Sequence, residues 1–275
     1  MATFIHPLAI VETGAALGEG VHIGPYCHVG PQARIGDGVE LKSHVAIIGD
    51  TELGARSVVW PNAVLGGDPQ NKTHKGGPSR LVIGANCVIR EGCTFNRGTD
   101  NARGLTTVGD NGYFMIGAHV AHDCIVGNNV TFANAATLGG HVEVDDFVTI
   151  GGFAAVHQFT KVGHHAFVAG MSALTGDLIP WGVAQGNRAR LRGLNLVGMK
   201  RSGLPLASIR ELKAVYRTLF DRAIPFAEAL IRAKSQFAGS ANAGELFAFF
   251  DKGVKRHFCM PAAGAAGDAN DDDDD

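Results

Sequence analysis

The stretch from His119 to His165 carries a cluster of histidines that could support acid–base chemistry. Six of the 12 histidines lie there: His119, His122, His141, His157, His164 and His165. In a chain that repeats every eighteen residues, His141 lies directly above Asp123, and His122 lies beside Asp123. An imidazole titrates near neutrality and a neighbouring carboxylate orients it, so this face could remove a proton from an alcohol. The pattern therefore predicts a general base without a covalent nucleophile.

Two glycines beside His141 could complete such a site. The backbone amides of Gly139 and Gly140 could stabilise an oxyanion, because glycine lets a carbonyl group approach the chain closely. Zinc is the alternative chemistry, since three imidazoles can hold Zn²⁺ with an open fourth position. His119 and His122 are three residues apart along an outward bend, and the repeat dictates no third ligand. The spacing favours acid–base chemistry and leaves a zinc site as an alternative.

A six-residue apolar period organises most of the chain and must position these groups. It runs from Ile5 to Leu65, from Ile83 to Phe95 and from Val108 to Leu174, which gives twenty-six hexads. Four residues after each lead position stands a mostly small side chain, such as Ala136. Short strands that turn one large and one small residue inward predict an all-β solenoid, a parallel β-helix whose coils bury one another. Spacing does not determine its hand, and the general rule for parallel crossovers favours a right-handed coil.

Polar excursions and a helical segment divide the chain further. The segments 66–80 and 100–107 break the hexads and are predicted to be surface loops that carry binding residues. A helical pattern begins after Leu204-Pro205 and is followed by two more predicted helices, one after Pro225 and one near 243–250. The predicted organisation is a β-helix over 1–186, a small C-terminal α-helical domain over 187–258 and a disordered acidic tail over 259–275.

Composition excludes several other classes of protein. The chain is 45% hydrophobic with a net charge of −2, which argues against both a disordered chain and a general polyanion binder. No window approaches a membrane span and the first residues lack a signal-peptide pattern, so we expect a cytoplasmic protein. The five cysteines form no CxxC pair and are expected to be reduced. Four occupy the small inward position (Cys27, Cys87, Cys93, Cys124), whereas Cys259, near the tail, is expected to react with thiol reagents.

Basic residues are concentrated in the segment that follows the predicted β-helix and includes the first long predicted helix. The segment Arg188–Arg217 contains eight basic residues and one acid, Glu211. This asymmetry predicts an anionic ligand or an acidic protein partner, because guanidinium groups bind phosphate in a bidentate manner. The interleaved aromatic residues of single-strand nucleic-acid binders are absent from the segment, so nucleic acid is not expected.

Specific motifs, more than the hexads, relate this chain to a known family. IGAHVAHDCIVGNNVTFANAATLGGHVEVDDFVTIGGFAAVHQF, followed by QGNRARLRGLNLVGMKRSGL, resembles the UDP-N-acetylglucosamine acyltransferases, the first enzymes of lipid A synthesis. The resemblance covers roughly residues 3–255. It implies a left-handed β-helix, a homotrimer with sites between subunits, and acyl carrier protein as the acyl donor. It implies no metal or organic cofactor.

The resemblance also assigns roles to individual positions. It makes His122 the general base with Asp123 as its partner, and it makes Gly140 the oxyanion amide. Sugar, nucleotide and acyl contacts are implied for a larger set: Gln70, Asn71, His119, His141, His157, Gln158, Gly170, Asn195 and Arg201. Three positions differ from the common family pattern: Asn71 replaces Asp, Arg188 replaces His, and Ser202 replaces a second Arg.

The expected reaction is transfer of a 3-hydroxyacyl chain from acyl carrier protein to the 3-hydroxyl of UDP-N-acetylglucosamine. Three alternatives remain open from the sequence. The chain could be an N-acyltransferase acting on a 3-amino UDP-sugar, a trimeric β-helix carbonic anhydrase with zinc, or a trimeric binding protein that uses the column as a spacer.

Overall fold

The computed structural model describes residues 2–251 and 256–262, and a column of very short strands makes up most of them. Within these residues the strands form three parallel faces, and an antiparallel hairpin extends one of the faces at its end. Sheet A contains β1 Phe4–Ile5, β4 His22–Ile23, β7 Glu40–Leu41, β10 Val58–Val59, β13 Val88–Ile89, β16 Tyr113–Phe114, β19 Thr131–Phe132, β22 Thr149–Ile150, β25 Phe167–Val168, β27 Gly182–Gln185 and β28 Arg190–Leu194.

The other two faces follow the same stacking. Sheet B contains β2 Ile10–Val11, β5 His28–Val29, β8 Ala46–Ile47, β11 Val64–Gly67, β14 Thr94–Asn96, β17 His119–Val120, β20 Thr137–Leu138, β23 Ala155–Val156 and β26 Ala173–Leu174. Sheet C contains β3 Ala16–Leu17, β6 Arg34–Ile35, β9 Asp50–Leu53, β12 Arg80–Ile83, β15 Leu105–Val108, β18 Ile125–Val126, β21 Glu143–Val144 and β24 Lys161–Val162. The chain visits the faces in the order A, B, C, so every third strand pairs in parallel.

The predicted hexads coincide with this architecture. Every lead position from Ile5 to Leu174 lies in one of the strands β1 to β26, which confirms the predicted register. The large inward residues stack in columns; the ring centroids of Phe95 and Phe114 are 4.8 Å apart, and those of Phe114 and Phe132 are 5.1 Å apart. The lead residues of the first coil are less covered: Ile5 is 43% exposed, and Val11 and Leu17 are partly buried.

The coil is a left-handed parallel β-helix. The right-handed preference of the general crossover rule is therefore wrong for this chain. That preference arises when a twisted strand feeds a crossover that returns to the same sheet. Here most strands are two residues long and the next strand lies in another face, so little twist accumulates to select the hand.

Each coil turns sharply at three edges, and the turn residues adopt a left-handed backbone conformation. Non-glycine residues with φ near +60° recur at these edges, among them Asp123 at 60° and His141 at 63°. Such values are uncommon outside glycine and asparagine. The backbone therefore sets the direction of the side chains at the edge between sheets B and C, where both of these residues lie.

The helices follow the column and pack on its far end. They are α1 Leu196–Arg201, α2 Leu206–Leu219, α3 Phe226–Gln236 and α4 Ala241–Asp251. The last three match the predicted helices, whereas α1 is too short to give a periodic signal. α2 turns one face inward, with Ile209, Leu212, Val215, Tyr216 and Leu219 buried. In the described residues no helix is both long and apolar enough to cross a bilayer.

The segment after α4 returns to the column and corrects one sequence prediction. Asp177 N–H donates to the carbonyl of His257 at 2.8 Å, and Cys259 N–H donates to the carbonyl of Asp177 at 2.8 Å. Cys259 is only 2% exposed and burial raises the pKa of its thiol to about 12, so the expected reactivity is wrong. The tail does not begin at 259, because 259–262 are anchored to the column. The remaining tail, 263–275, lies outside the described residues.

Candidate active site

One edge of the column gathers most of the predicted site residues. Both polar excursions project from the column at the turn between a strand of sheet B and the next strand of sheet C. His122 and Asp123 lie in the corresponding turn of the next coil. The common edge follows from the stacking of equivalent turns in a solenoid. Nine predicted residues lie along this edge among those the structure describes: Gln70, Asn71, His119, His122, Asp123, Gly140, His141, His157 and Gln158.

His122 and Asp123 form a hydrogen-bonded pair at the centre of this edge. His122 Nδ1 lies 2.9 Å from Asp123 Oδ2, and their side chains are 10% and 0% exposed. An acceptor carboxylate fixes the proton of His122 on Nδ1 and leaves Nε2 as the basic nitrogen. The geometry predicted from the eighteen-residue stacking is present, since His141 N–H also donates to the carbonyl of His122 at 3.0 Å.

A threonine that the sequence analysis did not single out holds the carboxylate of this pair. Thr99 donates to Asp123 twice, from its hydroxyl at 2.7 Å and from its backbone N–H at 3.1 Å. Burial opposes ionisation of Asp123, but the hydrogen bonds from His122 and Thr99 outweigh burial and hold the pKa of the carboxyl below its ordinary value. Thr99 ends the segment before the second excursion, and only the coil stacking brings it to Asp123.

Gly140 lies against the face of the His122 ring. A Cβ atom added at Gly140 would lie 2.5 Å from Cε1 and 2.7 Å from Nε2 of His122. Among the described residues, the Gly140 N–H donates to no other group. A glycine is thus required for this approach, and an unpaired N–H beside the basic nitrogen is the geometry expected of an oxyanion donor.

Two further histidines, His141 and His119, lie near the pair. His141 Nε2 lies 3.8 Å from Asp123 Oδ2, and the His141 ring stacks on Phe159 with centroids 4.5 Å apart. His119 Nδ1 lies 2.8 Å from the hydroxyl of Thr94, and burial lowers the pKa of His119. The neutral form of His119 is therefore favoured, and this side chain is better suited to line the site than to act there as a cation.

The wall continues upward through His157 and Gln158, both of which are exposed. Arg256, in the segment that returns after α4, contacts Nδ1 of His157. This contact spans 99 positions of the chain and had no sequence signal, because the repeat does not extend to residue 256. The C-terminal segment therefore contributes a positive charge next to the site.

The first excursion brings Gln70 and Asn71 to the same edge in different ways. Gln70 is exposed and its side chain forms no hydrogen bond among the described residues, so it is available to a ligand. Asn71 Oδ1 instead accepts hydrogen bonds from the backbone N–H and the hydroxyl of Thr73, at 2.9 and 2.8 Å. The Asn71 oxygen is therefore used to shape the loop.

Three predicted residues lie away from this edge within one protomer. Gly170 is in the turn between sheets A and B, and Asn195 and Arg201 lie at the start and end of α1 beside sheet A. Asn195 caps α1 by accepting from Gly198 N–H at 2.9 Å, and its amide donates to the carbonyl of His165 at 2.9 Å. Both side-chain groups of Asn195 thus have structural partners.

Arg201 lines a basic cleft between the column and the helices. The cleft has a volume of 1140 Å³, and four cations of the predicted basic segment line it: Lys200, Arg201, Arg210 and Lys213. Phe147 and His165 form the opposite wall. The cleft is of the size and charge that a phosphorylated ligand requires. It lies at the edge between sheets C and A, so one protomer does not bring it to His122.

His122, Asp123 and His141 also form a group compact enough to hold a metal ion. One ligand atom from each lies within 4.8 Å of the others. However, Asp123 Oδ2 already accepts from His122 Nδ1 and from the Thr99 hydroxyl. A cation at this oxygen would compete with both donors. The donor set therefore fits an oriented histidine better than a metal centre.

Two family models match this chain at opposite ends. The bacterial transferase hexapeptide repeat matches residues 14–49, and the second domain of UDP-N-acetylglucosamine O-acyltransferase matches residues 177–259. Among solved structures, the UDP-N-acetylglucosamine acyltransferase of Campylobacter jejuni is 40% identical with a TM-score of 0.88, covering 94% of this chain and 100% of that one. The Francisella novicida enzyme is 31% identical with a TM-score of 0.91 and covers 95% of each chain.

Curated relatives are more similar in sequence. An acyl-[acyl-carrier-protein]–UDP-N-acetylglucosamine O-acyltransferase of Mesorhizobium japonicum is 56% identical over 273 residues, covering 99% of this chain and 98% of the relative. The protein of the same name from Bartonella bacilliformis is 55% identical over 259 residues, or 94% of each chain. Identity of this level extends over nearly the full length, including both the column and the helical end. The chain belongs to the acyl-[acyl-carrier-protein]–UDP-N-acetylglucosamine O-acyltransferases.

Proposed function

We propose that this chain transfers a 3-hydroxyacyl group from acyl carrier protein to the 3-hydroxyl of UDP-N-acetylglucosamine, the first step of lipid A synthesis. The class of reaction follows from the family. The observation that supports the chemistry is the buried His122–Asp123 pair, which leaves a basic Nε2 beside the free N–H of Gly140. We place this reaction in the cytoplasm, where acyl carrier protein is the expected donor.

His122 acts as the general base. Its Nε2 removes the proton of the sugar hydroxyl while the hydroxyl oxygen attacks the thioester carbon of the donor. Asp123, held ionised by Thr99, stabilises the imidazolium that forms. When the tetrahedral intermediate collapses, the carbon–sulfur bond breaks and the imidazolium returns its proton to the thiolate. The products are the sugar ester and the free thiol of the carrier.

Gly140 acts as the oxyanion donor. Its N–H stabilises the negative charge that develops on the carbonyl oxygen during attack, a contribution of on the order of 3 kcal/mol for a single donor. The wall formed by His119, His141, His157 and Gln158 orients the sugar and the thioester. Gln70 of the first excursion contacts the sugar, and Asn71 shapes the loop that presents Gln70.

A homotrimer completes the site in this proposal. The catalytic edge and the basic cleft lie at different edges of one column, so a neighbouring subunit must supply the cleft that faces a given His122. Arg201 of the cleft then binds the pyrophosphate, and Gly170 lies at the acyl end of the groove. Arg210 and Lys213, on α2, provide the charge that attracts the acidic carrier protein.

A product assay tests this function. The protein is incubated with a panel of acyl carrier protein thioesters together with UDP-N-acetylglucosamine or its 3-amino analogue, and the products are weighed by mass spectrometry. We expect an ester on UDP-N-acetylglucosamine and unchanged turnover after chelation. Exclusive reaction with the amine would identify an N-acyltransferase, and loss of activity that zinc restores would identify metal chemistry.

A further inference from the structure

Three consecutive residues, Thr99, Asp100 and Asn101, join the two excursions to each other and to the catalytic pair. The hydroxyl and the backbone N–H of Thr99 both donate to Asp123. Asp100 and Asn101 instead form hydrogen bonds with residues of the first excursion. The start of the second excursion is thus hydrogen-bonded on both sides, which a loop without a structural role would not require.

Asp100 makes the most extensive of these contacts. Its Oδ2 accepts from the backbone N–H of Gly77 at 2.9 Å and of Lys75 at 3.1 Å. Its Oδ1 lies 3.0 Å from Nδ1 of His74. Both carboxylate oxygens are therefore occupied by donors of the first excursion. The approach at Gly77 is close, since a Cβ atom added there would lie 2.7 Å from the Cβ of Asp100.

The charge of Asp100 is favoured by these contacts. The hydrogen bond from Gly77 N–H, assisted by those from Lys75 and His74, lowers the pKa of the Asp100 carboxyl. Its side chain is 18% exposed, so water competes only partly for the same oxygens. The carboxylate is thus ionised throughout the neutral range.

Asn101 extends the connection to the residues next to the sugar. Its Nδ2 donates to the Thr73 hydroxyl at 2.7 Å, and that hydroxyl donates to Asn71 Oδ1 at 2.8 Å. Asn71 directly follows Gln70, whose side chain is exposed. A continuous path of hydrogen bonds therefore runs from the segment that holds Asp123 to the position beside Gln70.

We propose that Thr99, Asp100 and Asn101 form a clasp that fixes the sugar-binding loop, residues 68–78, at a set distance from His122, with Asp100 as its central positioning residue. The proposal rests on the function proposed above, because it takes Gln70 to contact the sugar. The clasp holds the acceptor hydroxyl within reach of His122 Nε2 before the thioester arrives. Because the loop is already ordered when the sugar arrives, sugar binding does not have to offset the entropy of ordering it, and the clasp therefore acts on the KM for the UDP-sugar.

Asp100→Asn tests the clasp with little change in shape. The amide keeps one acceptor oxygen, but its NH₂ group faces the donors that Asp100 now satisfies, so at least one side of the contact is lost. We expect the KM for UDP-N-acetylglucosamine to rise about tenfold, with kcat within about twofold of the parent and the KM for the acyl donor unchanged. Hydrogen–deuterium exchange should become faster in 68–78 and remain unchanged at His122.

Asp110→Asn is the matched control. Asp110 also accepts a backbone N–H with a carboxylate oxygen, from Ala85 at 2.7 Å, but it lies at another edge of the column and touches neither excursion. It should leave both KM values and the exchange of 68–78 unchanged. Asn101→Ala, at an exposed position, removes only the hydrogen bond to Thr73 and should raise the KM for UDP-N-acetylglucosamine by a smaller factor. This variant tests the clasp if Asp100→Asn does not fold.

Several results would overturn the clasp. An unchanged KM for the UDP-sugar, a loss confined to kcat, or an equal effect of Asp110→Asn would each contradict it. Failure of the proposed function is distinguishable, because a parent protein that makes no sugar ester contradicts that function alone. Hydrogen–deuterium exchange in 68–78 still tests the clasp in that case. If the parent and Asp100→Asn show equal protection there, the clasp is refuted without any activity measurement.

Discussion

Gly140→Ala should separate catalysis from stability more sharply than removal of any side chain. The new methyl group would lie 2.5 Å from His122 Cε1, whereas ordinary contact begins at 3.4 Å, so the ring must move by about 0.9 Å. The ring cannot move freely, because Asp123 holds Nδ1 at 2.9 Å and His141 packs edge-on against the ring with centroids 5.1 Å apart. The substitution must therefore displace Nε2 from the acceptor hydroxyl.

A displacement of about 1 Å at a reacting atom can cost about 100-fold in rate. We expect kcat with saturating acyl carrier protein thioester and UDP-N-acetylglucosamine to fall by about that factor. The melting temperature should fall less than for a clash with the backbone, because the three atoms nearest to the new methyl group all belong to the His122 side chain. Initial rates of ester formation, measured beside thermal unfolding, give both quantities on one preparation.

Two neighbouring glycines supply the controls. At Gly152 the nearest atom to an added Cβ is the carbonyl oxygen of Asn134 at 3.5 Å, so Gly152→Ala should change neither rate nor stability. At Gly139 an added Cβ would lie 2.8 Å from the backbone nitrogen of Gln158 in the next coil, so Gly139→Ala should lower the melting temperature. A Gly140→Ala protein with kcat within threefold of the parent would refute the described position of His122.

Four further predictions concern other parts of the chain. Ala136→Phe should lower the free energy of unfolding by about 1–3 kcal/mol or more, because Ala136 is 0% exposed in a column that cannot widen locally; unchanged denaturant midpoints would contradict the register. Burial, together with the neighbouring His164, lowers the pKa of His165 to about 4, so the unfolded chain binds this proton near pH 6.5 and the folded chain does not. Acidification from pH 6.5 to about 4 should therefore cost about 2 kcal/mol of stability through this residue, allowing for its partial exposure, and His165→Gln should remove that slope from unfolding curves. Cys259 should resist thiol reagents in the native protein and react in urea, and labelling at equal rates in both would contradict its burial. Arg201→Ala should mainly raise the KM for the UDP-sugar, whereas Lys213→Ala should slow association with the carrier protein in a way that salt weakens; a salt-independent loss at Lys213 would contradict this division.

The column could be predicted closely from the sequence because its inward-facing residues repeat at a fixed spacing. One large and one small inward residue per hexad determine where each strand lies, and stacking by eighteen residues placed His141 above Asp123 as the structure has it. Helices α2, α3 and α4 followed from proline positions and apolar spacing. The hand could not be derived in the same way, since strands of two residues do not carry the twist on which the general rule depends.

Contacts outside the repeat were the part that the sequence could not supply. Thr99 reaches Asp123 only because an excursion begins there, and the geometry of a nonrepetitive loop is not encoded in hexad spacing. Cys259 was expected to be reactive because it stands near an acidic tail. The segment that carries it instead forms bridges with Asp177 and Leu191, and these depend on the end of the column having an open edge. Proximity in sequence to a tail is therefore a poor guide to exposure.

The most direct test of the proposed chemistry is the turnover of His122→Ala with acyl carrier protein thioester and UDP-N-acetylglucosamine. The side chain is nearly buried and bonded to Asp123, so the variant should be compared at equal amounts of folded protein, as judged by its oligomeric state and melting temperature. General-base catalysis by His122 predicts a loss of about 100-fold or more in kcat in a protein that still assembles and melts like the parent. Turnover within a few-fold of the parent would show that another group removes the proton.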